Sequence, residues 1–187
     1  MKLSAKYFYH VLCEDVQTRC FICAVLNNQG IIKHKITVDM SPSGEKCGSA
    51  FVRQNYKIQL RLIQSKKFIN NVLIVCCDAD DNSIDERIRF IEEYPDGTIV
   101  DRKKESVIIW IPKREIENWI HFWREGTDEE HKFVHAGRKL ESCKDEAEKM
   151  SKYLSGQKPK LEVLSSIEHA KKEFDRVCMM QKKNDTN

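Results

Sequence analysis

The stretch Val72-Leu73-Ile74-Val75-Cys76-Cys77-Asp78-Ala79-Asp80 decides the fold, because an unbroken apolar run leads directly into two carboxylates. Such a run is typical of a strand covered on both faces, as in parallel α/β sheets. Ligands of open α/β sheets bind outside the carboxyl ends of the strands. Residues i and i+2 of a strand point to the same side, so we expect Asp78 and Asp80 to face one divalent cation. Carboxylate oxygens favour Mg²⁺ or Mn²⁺ at such a position.

Strand and helix patterns alternate around this stretch, which predicts a Rossmann-like α/β domain with a mainly parallel four-stranded sheet flanked by helices. The predicted strands are residues 5–13, 32–40, 68–77 and 107–111, and the predicted helices are 16–27, 50–65, 84–93 and one beginning near 113. We place this domain at 1–123. Charged residues dominate afterwards, which predicts a helical annex over 124–180, with helices at 142–155 and 161–180, and a disordered tail at 181–187.

Length and composition indicate one hydrophobic core and an intracellular setting. A chain of 187 residues is too short for two full domains. Its 32 basic and 29 acidic side chains give a net charge of +3, which neither requires nor excludes nucleic acid as a partner. The eight cysteines are interpreted as reduced thiols, because the sequence shows no secretory signal. No apolar run approaches the roughly 20 residues of a membrane helix, so we expect a cytoplasmic protein without a membrane partner.

Two further acids are expected at the same edge of the sheet as the Asp-x-Asp pair. Glu14 ends the first strand, and Glu117 lies in the first turn after the fourth. If the first and third strands are neighbours, their carboxyl ends bring Glu14, Asp78 and Asp80 together. Crowded carboxylates raise one another's pKa and create a strong cation site.

These residues resemble the TOPRIM fold of topoisomerases, bacterial primases and OLD-type nucleases, over roughly 5–123. TOPRIM domains carry a Glu after the first strand and Asp-x-Asp after the third, here Glu14 and Asp78-Ala79-Asp80. The segment Arg114-Glu115-Ile116-Glu117-Asn118-Trp119 looks like the Arg-x-Ile-Glu-Asn-aromatic element of OLD-type and small defence-associated TOPRIM proteins.

The resemblance implies a Mg²⁺-dependent or Mn²⁺-dependent nuclease, acting in antiphage defence with a partner ATPase. It assigns Asp78 and Asp80 to the metal, Glu14 to metal binding or proton transfer, and Glu117 to a second metal position. Two cations about 4 Å apart activate a water and neutralise the leaving oxygen. Many relatives have Gly after the first Glu and another acid later, where this chain has Asp15 and Thr18. The alternative is therefore a catalytically inactive binding module that acts through protein partners, with Asp15 as a substitute ligand at most.

A basic stripe offers a candidate nucleic-acid surface. Gly44, Gly48 and Ser49 open the second helix, whose free backbone N–H groups suit a phosphate. Basic residues recur along that helix and after the fourth strand, at Arg53, Lys57, Arg61, Lys113 and Arg114. With Ser49 they form a surface for a nucleic-acid backbone. The competing interpretation is an ordinary solvated helix face.

Other patterns carry weaker functional interpretations. Cys20 and Cys23 could form a zinc site with His131 and His135, but no second Cys pair has ligand spacing. Both cysteines are better interpreted as core thiols of the first helix. Trp110, Trp119 and Trp123 favour packing of a helix onto the sheet over a base-stacking platform. A response-regulator receiver, with Asp78 as its phosphoacceptor, ranks below TOPRIM because the spacing from Asp15 to Asp78 is too long.

Overall fold

The computed structural model describes residues 1–42, 48–65, 69–94, 97, 102–126 and 142–185. Its centre is a four-stranded parallel sheet in the order β2-β1-β3-β4, with β1 at Phe8–Cys13, β2 at Ile36–Met40, β3 at Asn71–Cys76 and β4 at Val107–Trp110. Six helices in the described ranges flank it: α1 Val16–Asn28, α2 Gly48–Ser65, α3 Ile84–Glu92, α4 Ile116–Glu125, α5 Lys144–Leu154 and α6 Ser165–Asp185. The predicted α/β class and parallel sheet are confirmed.

The register aligns the carboxyl ends of the strands. Cys13 of β1 pairs with Met40 of β2 and with Cys76 of β3, and Cys76 pairs with Trp110 of β4. The chain leaves all four strands at one edge, so residues that are distant in sequence become neighbours there. We call this side the carboxyl edge.

Alternating side chains of the sheet enter two hydrophobic layers. Leu73 and Val75 of β3 pack with α2 and α3 on one face, whereas Val72 and Ile74 pack toward α1, α4, α5 and α6 on the other. All six β3 residues are buried, which explains why the stretch has no polar alternation.

The C-terminal helices form part of the main core. Phe174 and Val177 of α6 are fully buried in the same cluster as Tyr9 and Trp110 of the sheet. The Trp110 indole N–H also donates to the carbonyl of Ala170 at 3.1 Å. The predicted boundary at 123/124 falls inside α4, because that helix runs on to Glu125.

The predicted disordered tail is wrong as far as Asp185, where α6 ends. Gln181 is 2% exposed, and its amide accepts from the Ser4 N–H at 2.9 Å and donates to the Tyr9 hydroxyl at 3.3 Å. These bonds to the start of the chain fix the last turns of the helix. Residues 186–187 lie outside the described ranges.

The predicted second strand is too long at its beginning. Residues Lys33–Lys35 form a 3₁₀ turn, and Ile32 is 51% exposed rather than packed inward. The Lys35 N–H donates to the Ile32 carbonyl at 2.9 Å, so the backbone turns before it reaches the ladder. None of the helices in the described ranges combines the length and apolarity needed to cross a membrane.

Candidate functional site

Glu14 and Asp78 meet at the carboxyl edge because β1 and β3 are neighbours in the sheet. The Asp78 backbone N–H donates to Glu14 Oε1 at 2.9 Å. The expected convergence of the first and third strand ends is thus present for this pair. Their catalytic role stays a prediction.

Gly48, the first residue of α2, lies directly against Glu14. A Cβ added at Gly48 would lie 2.6 Å from Glu14 Oε2 and 2.8 Å from Glu14 Cβ, so a side chain there must displace the acid. The first turn of a helix presents unpaired backbone N–H groups and a partial positive charge. The glycine therefore lets the start of α2 approach the carboxylate closely. Gly44, proposed to open the same helix, lies outside the described residues.

Asp78 carries an unsatisfied buried oxygen. The residue is half-buried overall, but its Oδ1 is buried and has no hydrogen-bond partner in the described part of the chain. Burial raises the pKa of Asp78 well above its ordinary value, and the negative charges of Glu14, Asp15 and Glu117 raise it further. A buried carboxylate oxygen without a donor is costly unless a proton or a cation reaches it.

Burial also raises the pKa of Glu14. Hydrogen bonds from the Cys77 side chain and the Asp78 backbone oppose that rise, and the charge of Asp80 adds to it. The thiol of Cys77 is itself held protonated, because burial raises its pKa well above the usual value. Cys77 therefore supports Glu14 as a hydrogen-bond donor.

The structure places Asp80 differently from the prediction. β3 ends at Cys76, and Asp80 has a left-handed backbone with φ of 53°. Its carboxylate accepts a hydrogen bond from Arg87 Nη2 at 2.7 Å. The i, i+2 argument fails because the chain has already turned out of the strand. In this conformation Asp80 is neutralised by Arg87, and no three acid, imidazole or thiol side chains among the described residues are grouped to hold a metal.

Glu117 and Asp15 border the pair in different ways. Glu117 is half-buried in the first turn of α4, close enough for its charge to raise the pKa of Asp78. Asp15 is the N-cap of α1, and its Oδ1 accepts from the Thr18 N–H at 2.7 Å. A capping role explains Asp15 without a metal.

Two of the three basic residues of α2, Arg53 and Lys57, have partners within the protein. The Arg53 guanidinium lies 4.6 Å from the centroid of the Phe90 ring, and Lys57 Nζ lies 4.5 Å from that of Tyr94. Lys57 Nζ also donates to the Glu93 carbonyl at 2.6 Å. These contacts join α2 to the α3 segment, while Arg61 is exposed.

Lys113, Arg114 and Ser49 lie nearer the acids. Lys113 Nζ donates to the Asn82 carbonyl at 3.4 Å, and Arg114 donates to the Asp80 carbonyl at 3.0 Å and forms an ion pair with Asp81. Ser49 follows Gly48 in the first turn of α2. Arg61 lies three turns further along, about 18 Å from Ser49. Only part of the predicted nucleic-acid surface thus borders the carboxyl edge.

Arg87 is the residue that sequence reasoning missed. It is 6% exposed and donates to the Ala79 carbonyl at 3.1 Å as well as to Asp80. A signal was present, because Arg87 follows Ile84 by three positions and precedes Ile91 by four on a helix whose isoleucines face the sheet. A charged residue on that stripe indicates an acid partner within the fold.

The weaker sequence interpretations have separate outcomes. Trp110 and Trp119 are fully buried and pack edge to face with centroids 6.2 Å apart, which confirms their packing role. His131 and His135 lie outside the described residues. Cys20 and Cys23 are half-buried on α1 and line a pocket with Cys143 at the start of α5.

The chemical capacity of the carboxyl edge rests on the two neighbouring acids Glu14 and Asp78, neither of which forms an ion pair within the described ranges. Burial raises the pKa of both Glu14 and Asp78, and their mutual charge contributes to that of Asp78. Such a pair takes up a proton or a hard cation, and its all-oxygen donors suit Mg²⁺ or Mn²⁺. Comparisons with known proteins give no match among family models, curated proteins or solved structures, so the geometry of this edge carries the functional assignment.

Proposed function

We propose that the protein is a divalent-metal-dependent phosphodiesterase that hydrolyses nucleic acid at the carboxyl edge of its sheet. One observation carries the proposal: Asp78 Oδ1 is buried without a hydrogen-bond partner in the described residues, beside the desolvated carboxylate of Glu14. A cation relieves both the desolvation and the repulsion. The resemblance of Glu14, Asp78 and Asp80 to the TOPRIM acids supports the same function.

Mg²⁺ or Mn²⁺ would be held by Asp78 and Glu14, with Glu117 on the α4 side of the site. Asp80 would join these ligands after its carboxylate separates from Arg87. When bound, the ion activates a water molecule and neutralises charge on the phosphate. Glu14 is held in place by the Asp78 N–H and by the close approach of Gly48.

The residues proposed to bind the substrate lie at the same edge of the sheet. Lys113 and Arg114, on the loop after β4, lie beside the Asp80 turn, where their charges attract a phosphate. Ser49 lies in the first turn of α2, where free backbone N–H groups also suit a phosphate. Contacts of this kind recognise the backbone and not the base sequence.

The biological setting is proposed from the resemblance alone. Small defence-associated TOPRIM proteins work with a separate ATPase, and we extend that arrangement to this chain as a cytoplasmic antiphage effector. Co-purification of a tagged chain from its own cells tests this part, and recovery of the chain without an ATPase would count against it.

The Arg87–Asp80 ion pair favours a second candidate function. Arg87 neutralises Asp80, one of the two acids of the Asp-x-Asp pair. A domain that keeps this ion pair permanently is an inactive binding module, in which the acids serve structure or a protein partner.

Metal-dependent cleavage distinguishes the two functions. Purified protein is incubated with plasmid, tRNA and single-stranded oligonucleotides in Mn²⁺ or Mg²⁺, and its thermal stability is measured against Mn²⁺ concentration. A metal at 100 times its Kd stabilises the folded state by about 2.7 kcal/mol. We expect cleavage and a thermal shift in the wild type, and neither in Asp78→Asn.

Asp145→Asn is the matched control, because it removes one exposed carboxylate from the first turn of α5. This variant should keep both the cleavage activity and the Mn²⁺ thermal shift. Cleavage that survives in Asp78→Asn would overturn the nuclease assignment at this site. No Mn²⁺ shift at millimolar concentration in the wild type, together with no cleavage by any form, would support the binding module.

A further inference from the structure

A concave site apart from the carboxyl edge lies between the end of α4, the end of α5 and the segment that follows α5. Its volume is about 310 Å³, at the lower end of the range for small-molecule pockets. Glu117 lies in the first turn of α4, whereas the pocket begins at Phe122 and continues to Gly126. The rise of the helix puts this pocket about 8–14 Å further along α4. It is therefore separate from the proposed metal site.

Aromatic side chains form one wall of the pocket. The Trp123 ring packs against Phe122 with centroids 4.9 Å apart and against Tyr153 with centroids 5.8 Å apart. Trp123 is 7% exposed, and its indole N–H has no acceptor in the described part of the chain. A buried indole N–H normally finds a partner. The wall thus offers an apolar aromatic surface, formed by the half-buried Tyr153 ring and the exposed part of Trp123.

Positive charge surrounds this wall. Among the described residues, the lining contains one acid, Glu125, and five cationic residues: Arg124, Lys149, Lys152, Lys158 and Lys160. Some of these cations are already engaged, since Lys149 Nζ donates to the Trp123 carbonyl at 2.6 Å and Lys152 pairs with Glu148. Lys158 and Lys160 are exposed, and no ion pair is found for either one in the described ranges. They are placed to meet an anion.

The rim is completed by Leu161, which is 52% exposed. Gly126 ends α4 with φ of 77°, and a Cβ there would lie 2.6 Å from Leu161 Cδ1. The glycine thus allows the apolar Leu161 side chain to lie close to the helix end, beside the aromatic wall.

We propose that this pocket binds one nucleotide, with the base against the Trp123 and Tyr153 wall and the phosphate toward Lys158 and Lys160. Aromatic stacking suits any base, and lysine ammonium groups suit a phosphate. A volume of about 310 Å³ suits a single nucleotide better than a longer stretch.

The indole N–H resonances of the three tryptophans provide a site-specific assay. The indole groups of Trp110 and Trp119 donate to Ala170 and Ser166, whereas that of Trp123 has no described acceptor. Metal-free protein is titrated with AMP, GMP, UMP and CMP, and Trp123→Phe identifies the Trp123 resonance. We expect a mononucleotide to shift that resonance while the other two change little. Adenosine and inorganic phosphate, tested separately, should bind about tenfold more weakly.

The paired variant Lys158→Gln/Lys160→Gln should weaken nucleotide binding about fivefold. Lys182→Gln/Lys183→Gln removes the same charge from the last turn of α6 and should leave binding unchanged. A pentanucleotide distinguishes two sources of the ligand. If it binds more tightly than AMP, the natural ligand is the end of a nucleic-acid strand, and if it binds equally, the natural ligand is a free nucleotide. The proposal is overturned if no nucleotide shifts the Trp123 resonance at about 5 mM, or if the lysine variant binds like the wild type.

Discussion

Replacing Arg87 with methionine tests whether this residue restrains the metal site. The ion pair with Asp80 involves a carboxylate that is 54% exposed, so it contributes about 0–1 kcal/mol to stability. The Ala79 carbonyl keeps hydrogen bonds from the Asn82 backbone and side chain, so loss of the Arg87 donor removes about another 1 kcal/mol. We expect the free energy of unfolding to fall by about 1–2 kcal/mol, with the protein still folded.

The same substitution should strengthen metal binding. If Asp80 must leave Arg87 before it can bind a cation, the wild type loses about 1 kcal/mol in that step, which corresponds to about fivefold in Kd. Titration calorimetry with Mn²⁺ measures this change, and urea denaturation measures the stability. Arg89→Met is the control, because Arg89 is exposed on the same helix. An unchanged or weaker Mn²⁺ affinity in folded Arg87→Met would refute the restraining role.

Three further predictions follow from close contacts elsewhere. Gly48→Ala should lower the free energy of unfolding by about 1–3 kcal/mol and abolish the Mn²⁺ thermal shift, because the new Cβ displaces the Glu14 carboxylate. A retained thermal shift would show that Glu14 is not a ligand. Glu173→Gln should cost about 2 kcal/mol in urea denaturation, because it removes the largely buried acid that Arg102 and Arg176 share, while Arg102 keeps its ion pair with Glu92. A loss well under 1 kcal/mol would contradict this. Burial acts to raise the pKa of Glu173, but these two guanidiniums outweigh it and hold the pKa below the ordinary value of 4.5. The stability that Glu173 contributes is therefore present above pH 4.5 and lost as the pH falls through the lower folded value, so urea curves of wild type and Glu173→Gln should converge in acid and stay apart at neutral pH.

The parts of the fold that sequence predicts are those in which one local pattern dominates. The unbroken apolar run before Asp78 has no alternative to a buried strand, and it lies at the centre of the sheet as expected. To predict that Glu14 and Asp78 meet, it was enough to assume that their two strands are parallel neighbours. Parallel direction and adjacency are both general properties of alternating β and α elements.

The parts that sequence did not predict depend on contacts between distant segments. The conformation of Asp80 is set by its backbone hydrogen bond to Arg114 and by the ion pair with Arg87. The period of α3 indicates that Arg87 faces inward, but it does not identify Asp80 as the partner or show that the chain turns there. The role of α6 was hidden because its buried residues, such as Phe174 and Val177, are separated by charged ones. Those charges include Glu173, which is largely buried and is paired with Arg102 from a distant segment and with Arg176 of the same helix.

The position of α6 has a consequence for how the chain folds. One face of the sheet, with Tyr9 and Trp110, is covered by the last helix of the described chain, and Gln181 bonds to Ser4 across almost the whole sequence. Such distant contacts slow folding, because a long loop must close before they form. During synthesis this apolar face stays open until α6 leaves the ribosome. A nascent chain therefore needs protection from aggregation until α6 has been made and can pack on this face.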